Sequence, residues 1–216
     1  MIFGGIITEI TKSPITIFAL LGVLLLIFAV LKIRKIKFTT QKITVIGISI
    51  ALSTVLQFIT ILKLPQGGSV TAASMVPIVL VALFYGPEVG FLTGFLFGII
   101  NFIISPYALH PVQVLFDYPL PFMAIGIVGY FRNRNIQGIL IGVVLAMLAR
   151  FTCHFISGVV FFASSAPEGT SVYLYSLLYN GSYMSLETII TCVVIAILPL
   201  KRLSKIVIKN NTVSPL

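Results

Sequence analysis

The 216-residue sequence predicts an all-α membrane protein crossing the bilayer seven times. Three observations carry this expectation. Hydrophobic residues make up 58% of the chain and charged residues 9%, where a water-soluble domain averages about 25% charged. Mean hydropathy is +1.14. Long apolar runs recur between short polar or Gly/Pro-rich breaks, and a spanning helix needs about 20 mostly apolar residues. This length has room for six or seven spans and short loops, and for no large soluble domain.

The first run, "PITIFALLGVLLLIFAVLKI" from Pro14 to Ile33, is long enough to span. It lacks the basic leader and small-residue cleavage site of a signal peptide. Glu9 and Lys12 precede it and "KIRKIKF" follows, so it reads as an extra N-terminal span. Further runs predict helices near 43–62, 72–85, 89–104, 112–131, 138–162 and 174–199. "LPQGGSV" (64–70) reads as a turn through its proline and paired glycines, "YGPE" (85–88) as a tight turn, and "SSAPEGTS" (164–171) as the longest polar connection between spans. Cys153 and Cys192 fall inside apolar runs and read as small hydrophobes.

Charge orients the bundle. Lys32, Arg34, Lys35, Lys37 and Lys42 follow the first span, Arg132 and Arg134 the fifth, and Lys201, Arg202, Lys205 and Lys209 the last. An outside N-terminus puts all of these on one side, leaving Lys12 and Lys63 on the other. The basic side is cytoplasmic by the positive-inside rule. Topology and attraction to anionic lipid heads account for the net charge of +9 without a nucleic-acid partner. The breaks at 63–71, 105–111 and 163–173 then face outward.

One basic residue lies in the middle of a span, away from loops and flanks. Arg150 sits in "VVLAMLARFTCHFISGVVFF", where an ionisable group costs roughly 2.5–3.5 kcal/mol unless paired or watered. His154, four residues on, shares its helical face. Asp117 and Glu187 are the candidate partners. Asp117 is the expected one, because His110, Gln113 and Tyr118 extend its polar surroundings outward. Glu187, mid-span in "SYMSLETIITCVV", is expected to be a structural hydrogen-bond anchor. An aromatic rim of Tyr107, Phe161, Phe162, Tyr173, Tyr175 and Tyr179, with Asn180 beside it, suits either headgroup anchoring or a ligand. A half-buried carboxylate among ring faces fits a flat aromatic cation. No GxxxxGK[ST], HExxH, CxxC or GxSxG motif is present, so neither ATP hydrolysis by a phosphate loop nor the corresponding catalysis is supported. A proton relay through Asp117, Glu187, Arg150 and His154 in a stand-alone transporter is the alternative of a different class.

"KLPQGGSVTAASMVPI", "HPVQVLFDY", "RFTCHFISGVVFFASSAPEGT" and "YSLLYNGSYM" closely resemble the thiamine-specific substrate-binding (S) subunits of energy-coupling-factor (ECF) vitamin transporters. The likeness runs from about residue 43 to 200. It implies a six-helix S-component bundle at 41–205, preceded by the extra helix and basic linker of 1–40 and followed by a cytoplasmic tail at 206–216. It implies a non-enzymatic subunit of a bacterial cell membrane with no cofactor, capturing thiamine in an outward-facing pocket. Its partners would be a transmembrane coupling subunit and two ABC-type ATPases, which drive it to topple and release vitamin inside.

By that resemblance Asp117 faces the thiazolium and Tyr118 follows it. His154, Tyr107, Tyr175 and Asn180 fall on pocket positions, and Arg150 on a basic residue supporting the acidic one. Some relatives have glutamate at Asp117 and tryptophan at Phe162 and Gly68, whereas this chain has no tryptophan. Gly47 and Ala51 in "GISIA" match small residues that admit the coupling subunit, a spacing that also serves packing within one bundle. A subunit for another vitamin or a thiamine precursor, such as the pyrimidine moiety, is the alternative within the same fold.

Overall fold

A computed structural model describes residues 14–34 and 36–208. The expectations resting on Glu9, Lys12, Lys35, Lys209 and the outside N-terminus concern positions outside the described residues. The helices are α1 (Pro14–Ile33), α2 (Thr40–Phe58), α3 (Val76–Tyr85), α4 (Pro87–Ile104), α5 (Pro111–Asp117), α6 (Pro119–Met123), α7 (Ile136–Phe161), α8 (Val172–Ile197) and α9 (Leu200–Ile208). A 3₁₀ segment, Ala124–Phe131, continues α6. The all-helical membrane fold is as expected. Thr40–Phe58, Pro87–Ile104, Pro111–Phe131, Ile136–Phe161 and Val172–Ile197 are each long and apolar enough to cross a membrane.

Local chemistry sets the boundaries. Thr39 and Asn135 cap α2 and α7, their side chains accepting from the Lys42 and Gly138 N–H groups at 3.3 and 3.0 Å. Pro87 and Pro111 occupy first-turn positions, where a missing N–H costs nothing. Gly86, at φ +92°, makes the sharp reversal between α3 and α4.

Three predicted helices differ from expectation. The helix expected near 43–62 ends at Phe58, and Thr60–Lys63 is a strand. The span at 112–131 is broken at Tyr118 (φ −121°, ψ −82°), because Pro119 disfavours helical geometry in the residue before it and supplies no N–H. The span at 72–85 is helical only from Val76. Ahead of it the chain forms an antiparallel hairpin, β1 (Thr60–Lys63) with β2 (Ser69–Thr71), pairing Thr60 with Thr71 and Lys63 with Ser69. The break at 64–70 is therefore the tip of a hairpin. Its inner strand descends into the bundle, where Val70 and Thr71 are buried.

Helix α3 is the hub of the core, with eight of its ten residues buried, so it is apolar all round. A stripe of Gly90, Gly94 and Gly98 on α4 lets the broken fifth span approach closely. A Cβ at Gly94 would overlap the Phe122 carbonyl, and one at Gly98 would stand 2.7 Å from Pro119 Cα. Gly94→Ala is expected to destabilise the protein by about 1–3 kcal/mol, since this backbone contact cannot relax by rotamer change. A lower unfolding temperature in detergent would register it; an unchanged one would mean the two helices part freely.

Helix α1 packs against α4, α5 and α6, with Phe18 edge-on to Phe116 at a centroid distance of 6.2 Å. At the opposite end from the hairpin, α9 buries Leu200 and Ser204 and exposes Lys201, Arg202 and Lys205. The Val207 carbonyl accepts from Tyr85 Oη at 3.3 Å, tying α9 to α3. Arg34, Lys37, Lys42, Arg132 and Arg134 join the same end through the 34–40 and 132–135 connections.

Candidate functional site

A cavity of about 640 Å³ opens between the hairpin, the 105–107 connection and the outer halves of α7 and α8. Gly68, Tyr107, Asp117, Tyr118, His154, Phe162, Tyr175 and Asn180 all line it, as does Arg150. Thus the helix ends that carry these residues converge on the face away from the basic connections.

Asp117 is the last residue of α5, where the break in the span leaves its carboxylate at the cavity wall. Carbonyls at a helix C-terminus do not stabilise an anion, so this carboxylate depends on side-chain donors. Gln113 Nε2 donates to Oδ2 at 2.5 Å, and His154 Nδ1 lies 3.4 Å from Oδ1. The Asp117 side chain is still 17% exposed, with room for a further partner. Gln113 also takes the Leu109 N–H on Oε1 at 2.9 Å and donates to the Tyr107 carbonyl at 3.2 Å. Tyr118 Oη donates to the Ser105 carbonyl at 2.9 Å and accepts from the Tyr107 N–H at 3.0 Å. The 105–110 connection is thereby fixed to α5, which presents the Tyr107 ring to the cavity.

The rings of Tyr107 and Phe162 stack with centroids 5.9 Å apart and planes 19° from parallel. On the other wall Tyr175 stacks on Tyr179, and Tyr175 Oη donates to Gln66 Oε1 at 3.2 Å. Tyr179 Oη accepts from the Gly68 N–H at 3.0 Å and donates to the Pro65 carbonyl, clamping the hairpin tip. A Cβ at Gly68 would meet Tyr179 Oη at 2.7 Å and the Tyr183 ring at 3.1 Å, so this packing has no space for a side chain. Asn180 is spent within the wall: Nδ2 donates to the Ser176 carbonyl at 3.0 Å and Oδ1 accepts from Tyr183 Oη at 3.1 Å. His154 Nε2 is buried and has no hydrogen-bond partner among the described residues.

The expected pairing of Arg150 with Asp117 is corrected. Arg150 Nη1 lies 3.4 Å from Glu187 Oε2, and both side chains are almost wholly buried. Arg150 and Glu187 stand at matching depths on the adjacent helices α7 and α8, whereas Asp117 is engaged by Gln113 and by His154, one turn further out. The guanidinium also lies over the Phe122 ring, 4.6 Å from its centroid. Glu187 is the expected anchor, accepting on Oε1 from the Thr71 N–H at 2.7 Å and the Thr71 hydroxyl at 2.6 Å.

Other residues singled out in the sequence lie apart. His110 caps α5 by accepting the Val112 N–H on Nδ1 at 3.1 Å, and stacks on Phe161. Tyr173 is exposed outside the cavity. Gly47 and Ala51 face outward from α2, and a Cβ at Gly47 would meet nothing within 4 Å among the described residues. Thr71 and Ser74 were not singled out in the sequence; a threonine and a serine in a turn-like stretch give no sign of descending to a mid-span carboxylate.

A family profile described as "Thiamine transporter protein (Thia_YuaJ)" matches residues 43–207. The thiamine transporter ThiT of Bacillus subtilis is 41% identical over 150 residues, covering 63% of this chain and 78% of that protein. ThiT of Lacticaseibacillus paracasei is 31% identical over 140 residues, covering 57% and 70%. A solved structure of ThiT from Listeria monocytogenes superposes with a TM-score of 0.69 at 24% identity, covering 77% of this chain and 96% of the other. Multiple apolar helices make the chain a multi-pass membrane protein, and the match over 43–207 leaves α1 outside the shared region. On that match the chain belongs to the thiamine transporter family Thia_YuaJ.

Proposed function

We propose that the chain is the thiamine-binding S subunit of an ATP-driven ECF importer. The observation that carries this reading is the partly exposed Asp117 carboxylate at a cavity wall, near His154 and in a cavity lined by aromatic rings. Thiamine joins a permanently cationic thiazolium to a flat aminopyrimidine. Asp117 would pair with the cation, Tyr107 and Phe162 would offer ring faces, and the unpartnered His154 Nε2 would meet a polar atom of the ligand. Tyr118, Tyr175, Asn180 and Gly68 hold the walls in which those groups sit.

The cavity would face outward and the basic connections the cytoplasm, so that thiamine enters at the hairpin. The chain has no nucleotide-binding phosphate loop, so energy would come from two partner ATPases through a transmembrane coupling subunit. The outward-facing Gly47 and Ala51 offer that subunit a close approach along α2.

Calorimetric titration of the purified protein tests the ligand. Thiamine is expected to bind tightly, and the isolated pyrimidine to compete poorly because it lacks the cation. Equal competition by the pyrimidine would point to a precursor as the ligand. Uptake into vesicles should require the coupling subunit, the ATPases and ATP. Uptake by this chain alone under a pH gradient would replace this reading with proton-coupled transport.

A further inference from the structure

Strand β2 is the irregular element of the bundle. It carries backbone outside any helix next to Glu187, which stands about 22 Å along α8 from its outer end. Irregular backbone at membrane depth is tolerated only where the protein itself satisfies its polar groups. Thr71 meets that condition through Glu187. Its N–H and its hydroxyl both donate to Glu187 Oε1, at 2.7 and 2.6 Å, while the other carboxylate oxygen faces Arg150. Thr71 Oγ1 also lies 2.6 Å from Ser74 Oγ, so the turn leading into α3 joins the same cluster. One carboxylate on α8 therefore joins the hairpin, the start of α3 and the cationic residue of α7. Glu187, Arg150 and Thr71 all line the cavity, and the tip of the same hairpin contributes Gly67 and Gly68 to its rim.

We infer that Glu187 is a positioning residue for ligand retention: it pins the hairpin over the cavity by gripping Thr71, and Arg150 holds Glu187 in place. The inference rests on the reading of the cavity as the ligand site. Its physical basis is a charge-assisted pair of hydrogen bonds between buried groups, the strong form of the interaction. At its tip the hairpin is held by Tyr179, through Gly68 and Pro65, and by Tyr175, through Gln66; at its base it is held by Glu187. Releasing the base leaves the strand with buried donors that must seek water through the cavity mouth.

The test compares Glu187→Gln with Glu187→Met, which are similar in size and differ in whether an acceptor oxygen remains for Thr71. A spin label at Ile61→Cys, an exposed hairpin position, reports hairpin mobility in lipid vesicles without ligand, in a background carrying Cys153→Ala and Cys192→Ala. Labelled thiamine then reports association and dissociation rates separately. Glu187→Met is expected to increase label mobility and to speed dissociation about tenfold with little change in association; Glu187→Gln should fall between it and the parent. Thr71→Val removes the hydroxyl donor and leaves the Arg150 pair intact, so it decides the matter if Glu187→Met does not fold. It should loosen the label and speed dissociation in the same sense. Equal behaviour of Gln and Met at 187, or an unmoved label in Thr71→Val, would overturn the tether. A hairpin that loosens as expected in a protein that binds no thiamine would uphold the tether and remove the ligand assignment.

Discussion

Asp117→Asn is expected to weaken thiamine binding by about 100-fold, because truncating the charge from a desolvated ion pair typically costs 2–5 kcal/mol. Asparagine keeps the shape of the side chain and an oxygen that can accept from Gln113. The change therefore removes the negative charge and little else. The isolated, uncharged pyrimidine supplies the internal control: its weaker affinity should be almost unaffected by the substitution. Asp117→Glu should retain binding, since the added methylene moves the carboxylate toward the cavity centre without removing it. Calorimetry on the three proteins separates these outcomes. Parent-like thiamine affinity in Asp117→Asn would remove the assigned cation pairing.

Arg150→Ala should lower stability by about 3–5 kcal/mol, the range for breaking a buried ion pair from one side. Glu187 would then be a buried carboxylate whose remaining donors among the described residues come from Thr71. The Phe122 ring would also lose the cation above it. Because the penalty comes mainly from the unpaired survivor, the double variant Arg150→Met with Glu187→Met should recover part of the loss. Thermal unfolding in detergent measures both proteins. A single variant as stable as the parent would mean that water already reaches Glu187.

Much of this architecture could be read from the chain because bilayer physics acts on composition and on charge placement. The apolar runs had to become helices, and the basic connections had to gather at one end, as Arg34, Lys37, Arg132 and Lys201 do. The cost of a cation within a span singled out Arg150, and helical spacing then brought in His154. Its partner could not be read the same way. Both carboxylates were available, and the choice depended on how α7 and α8 are rotated about their axes, which no local pattern encodes. The break at Tyr118 was visible in principle, since Pro119 and Pro121 follow it, but a continuous apolar run masked it. The hairpin was hidden for a different reason. "TILKLPQGGSVT" carries turn residues that say where the chain reverses, and nothing in it says that Thr71 will find an acceptor 116 positions away. The glycine stripe on α4 follows the four-residue spacing of close helix approach, and its meaning depended on the broken span lying opposite.

The stacked pair of Tyr107 and Phe162 also bears on how occupancy could be observed. Their rings already stack on each other in the cavity lining. A flat ligand packing against the pair would change the polarity and the electronic contacts around both rings. The chain contains no tryptophan, so its intrinsic emission is dominated by tyrosine. Phe162→Trp would introduce a single indole at this position against a dark background at longer wavelengths, turning the cavity mouth into an optical reporter of filling and emptying in real time.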